Sequence, residues 1–131
     1  MTQDEMKSRT KQYALRVIRL VDSLPNRKAA NHIGGQLLRC GTSVGANYRS
    51  SCRAKSTADF IAKLAIVEEE GDESIYWMEL LIEDEIVKPV LLESLMDEGN
   101  QIVSMIVASI NTAKRSRHPK SQIRNPKSTN A

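Results

Sequence analysis

The chain has 131 residues, of which 40% are hydrophobic, and its 19 basic and 16 acidic side chains give a formal net charge of +3. Such a length and composition fit one globular domain and exclude a disordered chain. The small net charge hides a segregation, because residues 1–55 hold 11 basic and 3 acidic side chains, residues 56–113 hold 2 and 13, and residues 114–131 hold 6 and none.

Apolar residues at helical spacing predict a first helix over residues 4–24. Tyr13, Val17 and Leu20 lie on one stripe of this helix, while basic residues cover much of the remaining surface. Pro25 ends the pattern, because the residue before a proline disfavours the helical backbone region.

A second helix is predicted over residues 27–53, and its unusual feature is glycine. Each of its four glycines costs about 0.5–1 kcal/mol relative to alanine inside a helix. Gly34, Gly41 and Gly45 are spaced so that they share one face, where small residues allow another backbone to come close. The alternative interpretation is a helix broken by a loop at Gly34-Gly35 or at Gly41.

A capping pattern marks the start of a third helix, predicted over residues 57–87. Ser56 is the expected N-cap, and Asp59 supplies the carboxylate three residues later. The surface of this helix is strongly acidic between residues 68 and 73. Its apolar stripe follows helical spacing and consists of Phe60, Leu64, Val67, Gly71, Ile75, Met78 and Ile82.

Pro89 suits the first turn of a fourth helix, predicted over residues 90–114. This helix carries a wide apolar face, more than one antiparallel neighbour covers, so we expect burial in a core and against another subunit. The face has two stripes, formed by Leu92, Leu95, Gly99, Ile102, Ile106 and Ala113 and by Val103, Val107 and Ile110.

The segment after the fourth helix has a different composition. Residues 115–131 contain two prolines, five basic residues and one large apolar residue, so we expect a flexible basic tail. Residues 1–114 are then the folded domain. Because the connections are short, we predict an all-α, antiparallel up-down-up-down four-helix bundle, with a helical array of another topology as the alternative.

Residue types that carry catalysis or bind metals are sparse. His32 and His118 have no serine or cysteine at a recognisable catalytic spacing, so we expect no enzymatic activity. The acidic third helix lacks the histidine that a di-iron site needs three residues after a glutamate, and no Cys-x-x-Cys pair exists, so we expect no metal or other cofactor. Cys40 and Cys52 would lie about 18 Å apart on one helix, too far for a disulfide.

The sequence has neither a run of 18 apolar residues nor the apolar core of a signal peptide. We therefore expect a cytoplasmic protein that does not span a membrane.

Basic surface is the remaining feature that points to a function. Contacts to phosphates would give salt-sensitive, sequence-independent affinity for RNA or DNA. Few aromatic residues accompany the basic ones, so we expect recognition of backbone and shape rather than base stacking. The candidate nucleic-acid-binding residues are Arg16, Arg19, Arg39, Arg49, Arg53, Lys55, Arg115, Arg117, Lys120 and Arg124.

An alternative use of the basic residues is pairing with the acidic helices, within the bundle or between subunits. Each exposed pair would contribute only about 0–1 kcal/mol. Pairing of this kind would make the chain a protein-interaction module without nucleic-acid binding.

Several short motifs resemble one known family. They are Leu38-Arg39, Ser43-Val44-Gly45-Ala46-Asn47, Ser56-Thr57-Ala58-Asp59-Phe60 and Glu73. The pattern is similar to that of the bacterial four-helix-bundle family first noted as open reading frames within intervening sequences of 23S ribosomal RNA genes. The resemblance covers roughly residues 5–112.

This resemblance implies a bundle that assembles as a homopentamer, has no enzymatic activity, and associates with RNA or another nucleic acid. A related branch, the accessory protein of diversity-generating retroelements, works with a reverse transcriptase, which is therefore a candidate partner. By the same resemblance Ser43, Asn47, Phe60 and Glu73 match family positions and are structural. Because Asn47 and Glu73 are polar groups beside apolar stripes, we hypothesise that they form a polar link between the second and third helices.

Overall fold

The structure, a computed structural model, describes the backbone of residues 1–124 and the side chains of residues 1–116. It contains four helices, which are α1 (Gln3–Asp22), α2 (Lys28–Ser51), α3 (Thr57–Glu83) and α4 (Pro89–Arg124). No strand occurs in the described part of the chain, so the predicted all-α four-helix architecture is confirmed. None of the described helices combines the length and apolar character needed to cross a membrane.

The helices follow one another up and down because only five residues connect each to the next. α2 packs against both α1 and α3, and α4 packs against α3, whereas the contact between the neighbouring helices α1 and α4 is the smallest of the four. The first turns of α1 and α3 therefore lie at the same end of the bundle as the last turns of α2. One cavity of about 520 Å³ at this end is lined by residues from all four helices.

The core consists of the apolar stripes that helical periodicity predicts. Tyr13 and Val17 of α1, Leu37 and Val44 of α2, and Leu64 of α3 are almost wholly buried. The first stripe of α4 joins them, and its second stripe is also largely used within the chain, because Ile110 is buried and Val103 is partly buried against this core. That second stripe therefore gives no support to the expected burial against another subunit.

The glycines of α2 allow α1 to come close, as their spacing predicts. An added Cβ at Gly41 would lie 2.9 Å from Val17, and one at Gly45 would lie 3.3 Å from the backbone of Thr10. α2 is one continuous helix, so the alternative of a loop at these glycines is wrong. Gly35 points elsewhere and has no neighbour within 4 Å of an added Cβ.

α3 ends at Glu83, four residues before the predicted end, and a turn without glycine explains the difference. Glu85 adopts a positive φ of 58°. The N–H of Glu85 donates to the carbonyl of Ile82, and the N–H of Ile86 donates to that of Leu81. This is the Schellman arrangement, in which glycine is the usual residue at the left-handed position. A glutamate there leaves no signal in the sequence.

The ends of α1, α2 and α4 also differ from their predicted positions. α1 and α2 each end two residues before their predicted ends, and their starts differ from the predicted ones by one residue, as is usual for helix termini. α4 continues ten residues past the predicted end at Lys114, so residues 115–124 are helical rather than part of a tail. Nothing between Lys114 and Pro119 disfavours a helix. Residues 125–131, which the prediction also assigns to a flexible tail, lie outside the described residues.

Candidate nucleic-acid interface

Some of the basic residues are used to hold helices together. Arg9 of α1 donates from Nε to one carboxylate oxygen of Glu98 at 2.8 Å and from Nη2 to the other at 2.6 Å, which links α1 to α4. This bidentate contact raises the pKa of Arg9. Arg16 donates to the hydroxyl of Ser94 at 2.9 Å and makes a second link between the same helices.

Arg39, a predicted nucleic-acid contact, is engaged by the acidic helix. Its guanidinium lies 3.1 Å from a carboxylate oxygen of Glu70 and 2.5 Å from one of Glu73. The indole N–H of Trp77 donates to the same oxygen of Glu73 at 3.1 Å. The bonds from Trp77 and Arg39 lower the pKa of Glu73. The expected pairing of basic and acidic helices thus occurs here, within one chain.

The hypothesised link between Asn47 and Glu73 is not formed. The amide of Asn47 donates to the carbonyl of Ser43 at 2.9 Å, and the hydroxyl of Ser43 donates to the carbonyl of Arg39, all within α2. Glu73 does connect α2 with α3, but its partner is Arg39. Phe60 is half-buried and packs against the core near the start of α3.

The remaining predicted contacts divide by position. Arg19 is exposed near the end of α1, at the opposite end of the bundle from Arg49 and Arg53. Lys55 is exposed in the α2–α3 connection, and Arg115 donates to Thr112 one turn earlier in α4. The side chains of Arg117, Lys120 and Arg124 lie outside the described residues.

Basic side chains are concentrated at one end of the bundle axis, which the sequence alone does not reveal. We call residues 1–11, 49–63 and 110–116 the basic end, since the topology brings these three segments together. Its three acidic side chains are Asp4, Glu5 and Asp59. Its nine basic side chains are Lys7, Arg9, Lys11, Arg49, Arg53, Lys55, Lys63, Lys114 and Arg115.

Two of the three carboxylates at the basic end are occupied locally. Glu5 accepts a hydrogen bond from the backbone N–H of Thr2, and this capping contact lowers its pKa. Asp59 accepts from the backbone N–H of Lys55 and pairs with Lys63 at 3.4 Å, and these contacts lower its pKa. Although Glu98 of α4 pairs with Arg9, nine basic side chains against three acidic ones leave a net positive charge at this end.

A groove of about 590 Å³ runs between α1 and α2 at this end, and we call it the basic groove. Four basic side chains line it in two pairs, each pair four residues apart on one helix. Among the described residues that line the groove none is acidic. The lining comprises Lys7, Ser8, Lys11 and Ala14 of α1 and Thr42, Gly45, Ala46, Arg49 and Arg53 of α2.

The four basic side chains of the groove are available to a ligand. Lys11, Arg49 and Arg53 are exposed and Lys7 is half-buried. Within the described part of the chain none of the four makes an ion pair. Sequence reasoning selects Arg49 and Arg53 but not the two lysines. The missing signal is the packing of α1 on the small residues of α2, which places the lysines opposite the arginines.

Other kinds of site find little support among the described residues. They contain no group of three or more histidine, cysteine, aspartate or glutamate side chains placed to hold a metal ion. Cys40 and Cys52 are both free, as predicted. Burial raises the pKa of the Cys40 thiol to about 12, so this thiol is a poor nucleophile at neutral pH.

Comparison with known proteins now adds to this geometry. The family model described as 23S rRNA-intervening sequence protein matches residues 3–108, which comprise α1, α2, α3 and the first 20 residues of α4. The chain belongs to this family of 23S rRNA-intervening sequence proteins. The family resemblance seen in the motifs of α2 and α3 is thereby confirmed.

A solved structure supports the same assignment for this 23S rRNA-intervening sequence protein. A protein of unknown function from the S23 ribosomal protein family of Bacteroides thetaiotaomicron is 35% identical, with a TM-score of 0.79. The similarity covers 85% of this chain and 99% of the other. Among curated proteins, none matches the chain.

Proposed function

We propose that this 23S rRNA-intervening sequence protein is a non-enzymatic scaffold that associates with nucleic acid, RNA in particular, through its basic end. The observation that carries the proposal is the gathering of nine basic and only three acidic side chains at that end by the antiparallel topology. A concentrated positive potential attracts the phosphate backbone and releases its counterions. α4 extends the same charge, since residues 114–124 contain five basic residues and no acidic one.

Backbone contacts rather than base contacts fit the surroundings of this surface. Of the aromatic residues near it, Tyr48 is buried and Phe60 packs against the core. Tyr76 and Trp77 contact each other edge to face on the acidic part of α3. No stacking platform therefore accompanies the basic residues of the described part, and the affinity we propose does not depend on base sequence.

Binding of a labelled RNA hairpin, followed by fluorescence anisotropy at several salt concentrations, tests this function. We expect the logarithm of the binding constant to fall linearly with the logarithm of salt concentration, because phosphates are neutralised by lysine and arginine. RNA hairpins of unrelated sequence should bind equally well. Undetectable binding even at low salt would contradict the proposal and favour a protein-interaction module.

We also propose self-association, with the homopentamer of the family resemblance as the expected form. Support comes from large apolar side chains that the single chain leaves exposed, including Ile66 and Tyr76 on α3 and Val90 and Leu91 on α4. Sedimentation equilibrium at micromolar concentration should give about five times the 14.6 kDa chain mass. A monomer at this concentration would refute it.

Three further proposals rest on the family resemblance and on the absence of catalytic and membrane-spanning motifs in the sequence. We place the protein in the cytoplasm, without enzymatic activity. A reverse transcriptase is a candidate partner, and co-purification with a reverse transcriptase encoded beside this gene would support that role. The absence of any such neighbouring gene would argue against it.

A further inference from the structure

We propose that the basic groove is where the nucleic acid lies, and that it holds the phosphate backbone of a single strand along its length. This inference rests on the proposed function and narrows it from a charged end of the bundle to one groove. The four groove cations, Lys7, Lys11, Arg49 and Arg53, come from two helices and line the same space.

The arrangement of the cations suits a backbone strand. Lys7 and Lys11 are one helical turn apart on α1, and Arg49 and Arg53 are one turn apart on α2. Each pair therefore repeats at about 6 Å along its helix. The groove extends along eight residues of α1, from Lys7 to Ala14, a rise of about 10 Å.

The floor of the groove favours close approach and gives no base recognition. It is made of Ala14, Thr42, Gly45 and Ala46, whose side chains are absent or short. Small residues let a strand settle between the two rows of cations. None of the described lining residues is aromatic, so bases have nothing to stack on and must face outward.

Availability separates this groove from the basic residues that already link helices. Arg9 and Arg39 already bind carboxylates, and Arg16 is hydrogen-bonded to Ser94. A phosphate at any of these would compete with an existing contact between helices. At the groove no such contact is lost, because none of its cations makes an ion pair among the described residues.

Two paired variants of the full chain test the groove. One is Arg49→Gln with Arg53→Gln, and the other is Lys7→Gln with Lys11→Gln. Each removes two charges from one wall. Lys7 and Lys11 lie on α1, whereas Arg49 lies in the last turn of α2, so the second pair tests the groove independently if the first pair affects folding of α2. Thermal unfolding by circular dichroism checks that all variants are folded.

The matched control removes the same charge elsewhere. Lys28→Gln with Lys88→Gln changes two exposed basic residues at the opposite end of the bundle, and neither makes an ion pair within the described residues. All proteins are titrated with the same labelled RNA, as a single strand and as a duplex, between 0.05 and 0.3 M salt, values chosen on the order of physiological ionic strength.

Loss of two phosphate contacts should reduce the salt slope by about 1.4 for a single strand and about 1.8 for a duplex. At 0.1 M salt this corresponds to binding about 25- to 60-fold weaker, taking 1 M salt as the reference. Both groove variants should show this effect, while the control keeps the slope of the original protein.

Other results overturn the inference in distinguishable ways. Equal weakening of all three variants would mean that RNA responds to total charge, so the proposed function would stand and the groove would not. If the original protein does not bind RNA, both the proposed function and the assignment of the groove are contradicted. If the groove variants keep their RNA affinity but change their mass in sedimentation, the groove is a contact between subunits and not the RNA site.

Discussion

Replacing Gly41 by alanine tests the closest contact between α1 and α2. An added Cβ would lie 2.9 Å from each of the two methyl carbons of Val17 and 3.2 Å from its Cβ. Val17 is fully buried, and a β-branched side chain in a helix has essentially one χ1 rotamer. Rotation of Val17 cannot relieve the overlap, because both methyl groups are involved. The two helices must therefore move apart.

The expected magnitude combines two opposing effects. Inserting a methyl group into a well-packed core costs about 1–3 kcal/mol. Replacing glycine by alanine inside a helix contributes about 0.5–1 kcal/mol of stability in return. Gly35→Ala in the same helix has only the second effect, because nothing lies within 4 Å of its added Cβ. The difference between the two variants isolates the packing cost, about 1–3 kcal/mol.

Urea unfolding and thermal unfolding, both followed by circular dichroism, measure this difference. We expect Gly35→Ala to be more stable than the original protein and Gly41→Ala to be clearly less stable than Gly35→Ala, with a separation of several degrees in the melting temperature. Because oligomerisation makes stability depend on concentration, all proteins are compared at one concentration. Equal stabilisation of both variants would show that α1 does not contact Gly41 as described.

Four other predictions address the turn, the polar groups, the two cysteines and the buried titratable groups. Glu85→Gly should stabilise the protein by about 0.5–1 kcal/mol in urea unfolding, because glycine adopts the positive φ without strain; lower stability would contradict this account. Asn47→Ala should change the melting temperature little, since its amide bonds only within α2; a large loss would restore the link to α3. In the native protein a thiol reagent should modify Cys52 before the fully buried Cys40. Burial raises the pKa of Cys40 and of Tyr13 to about 12, so the contribution of these two groups to stability should be fully present below about pH 9 and be lost as pH rises towards 12; a flat profile over this alkaline range in urea unfolding would exclude this.

Much of the fold follows from the sequence, because helix formation depends on local chemistry. The stripes around Val17, Val44 and Leu64, the N-cap at Ser56 and the start of α4 at Pro89 are all recognisable from spacing and residue type. Helix ends were less predictable. The Schellman turn at the end of α3 uses a glutamate where glycine is expected, and its hydrogen bonds leave no sequence pattern.

The charged residues show where sequence reasoning stops. The segregation of charge along the chain predicts that basic and acidic helices pair, and Arg39 does pair with Glu70 and Glu73. Which arginines are used in this way is decided by the neighbour that each one faces. Arg16 and Arg39 are therefore engaged within the chain, whereas Lys7 and Lys11, which the candidate set from the sequence lacks, line the groove without an ion pair.

The sequence by itself determined four helices, their buried faces, the glycine surface of α2 and membership of the family, since each depends on residue type and spacing along the chain. Only the tertiary structure decided that basic residues from separate segments meet at one end of the bundle and along one groove. The physical reason is that an antiparallel bundle places the beginning of one helix beside the end of the next helix. Charges that are far apart in sequence therefore become neighbours in space. Their summed potential belongs to that arrangement and not to any one segment.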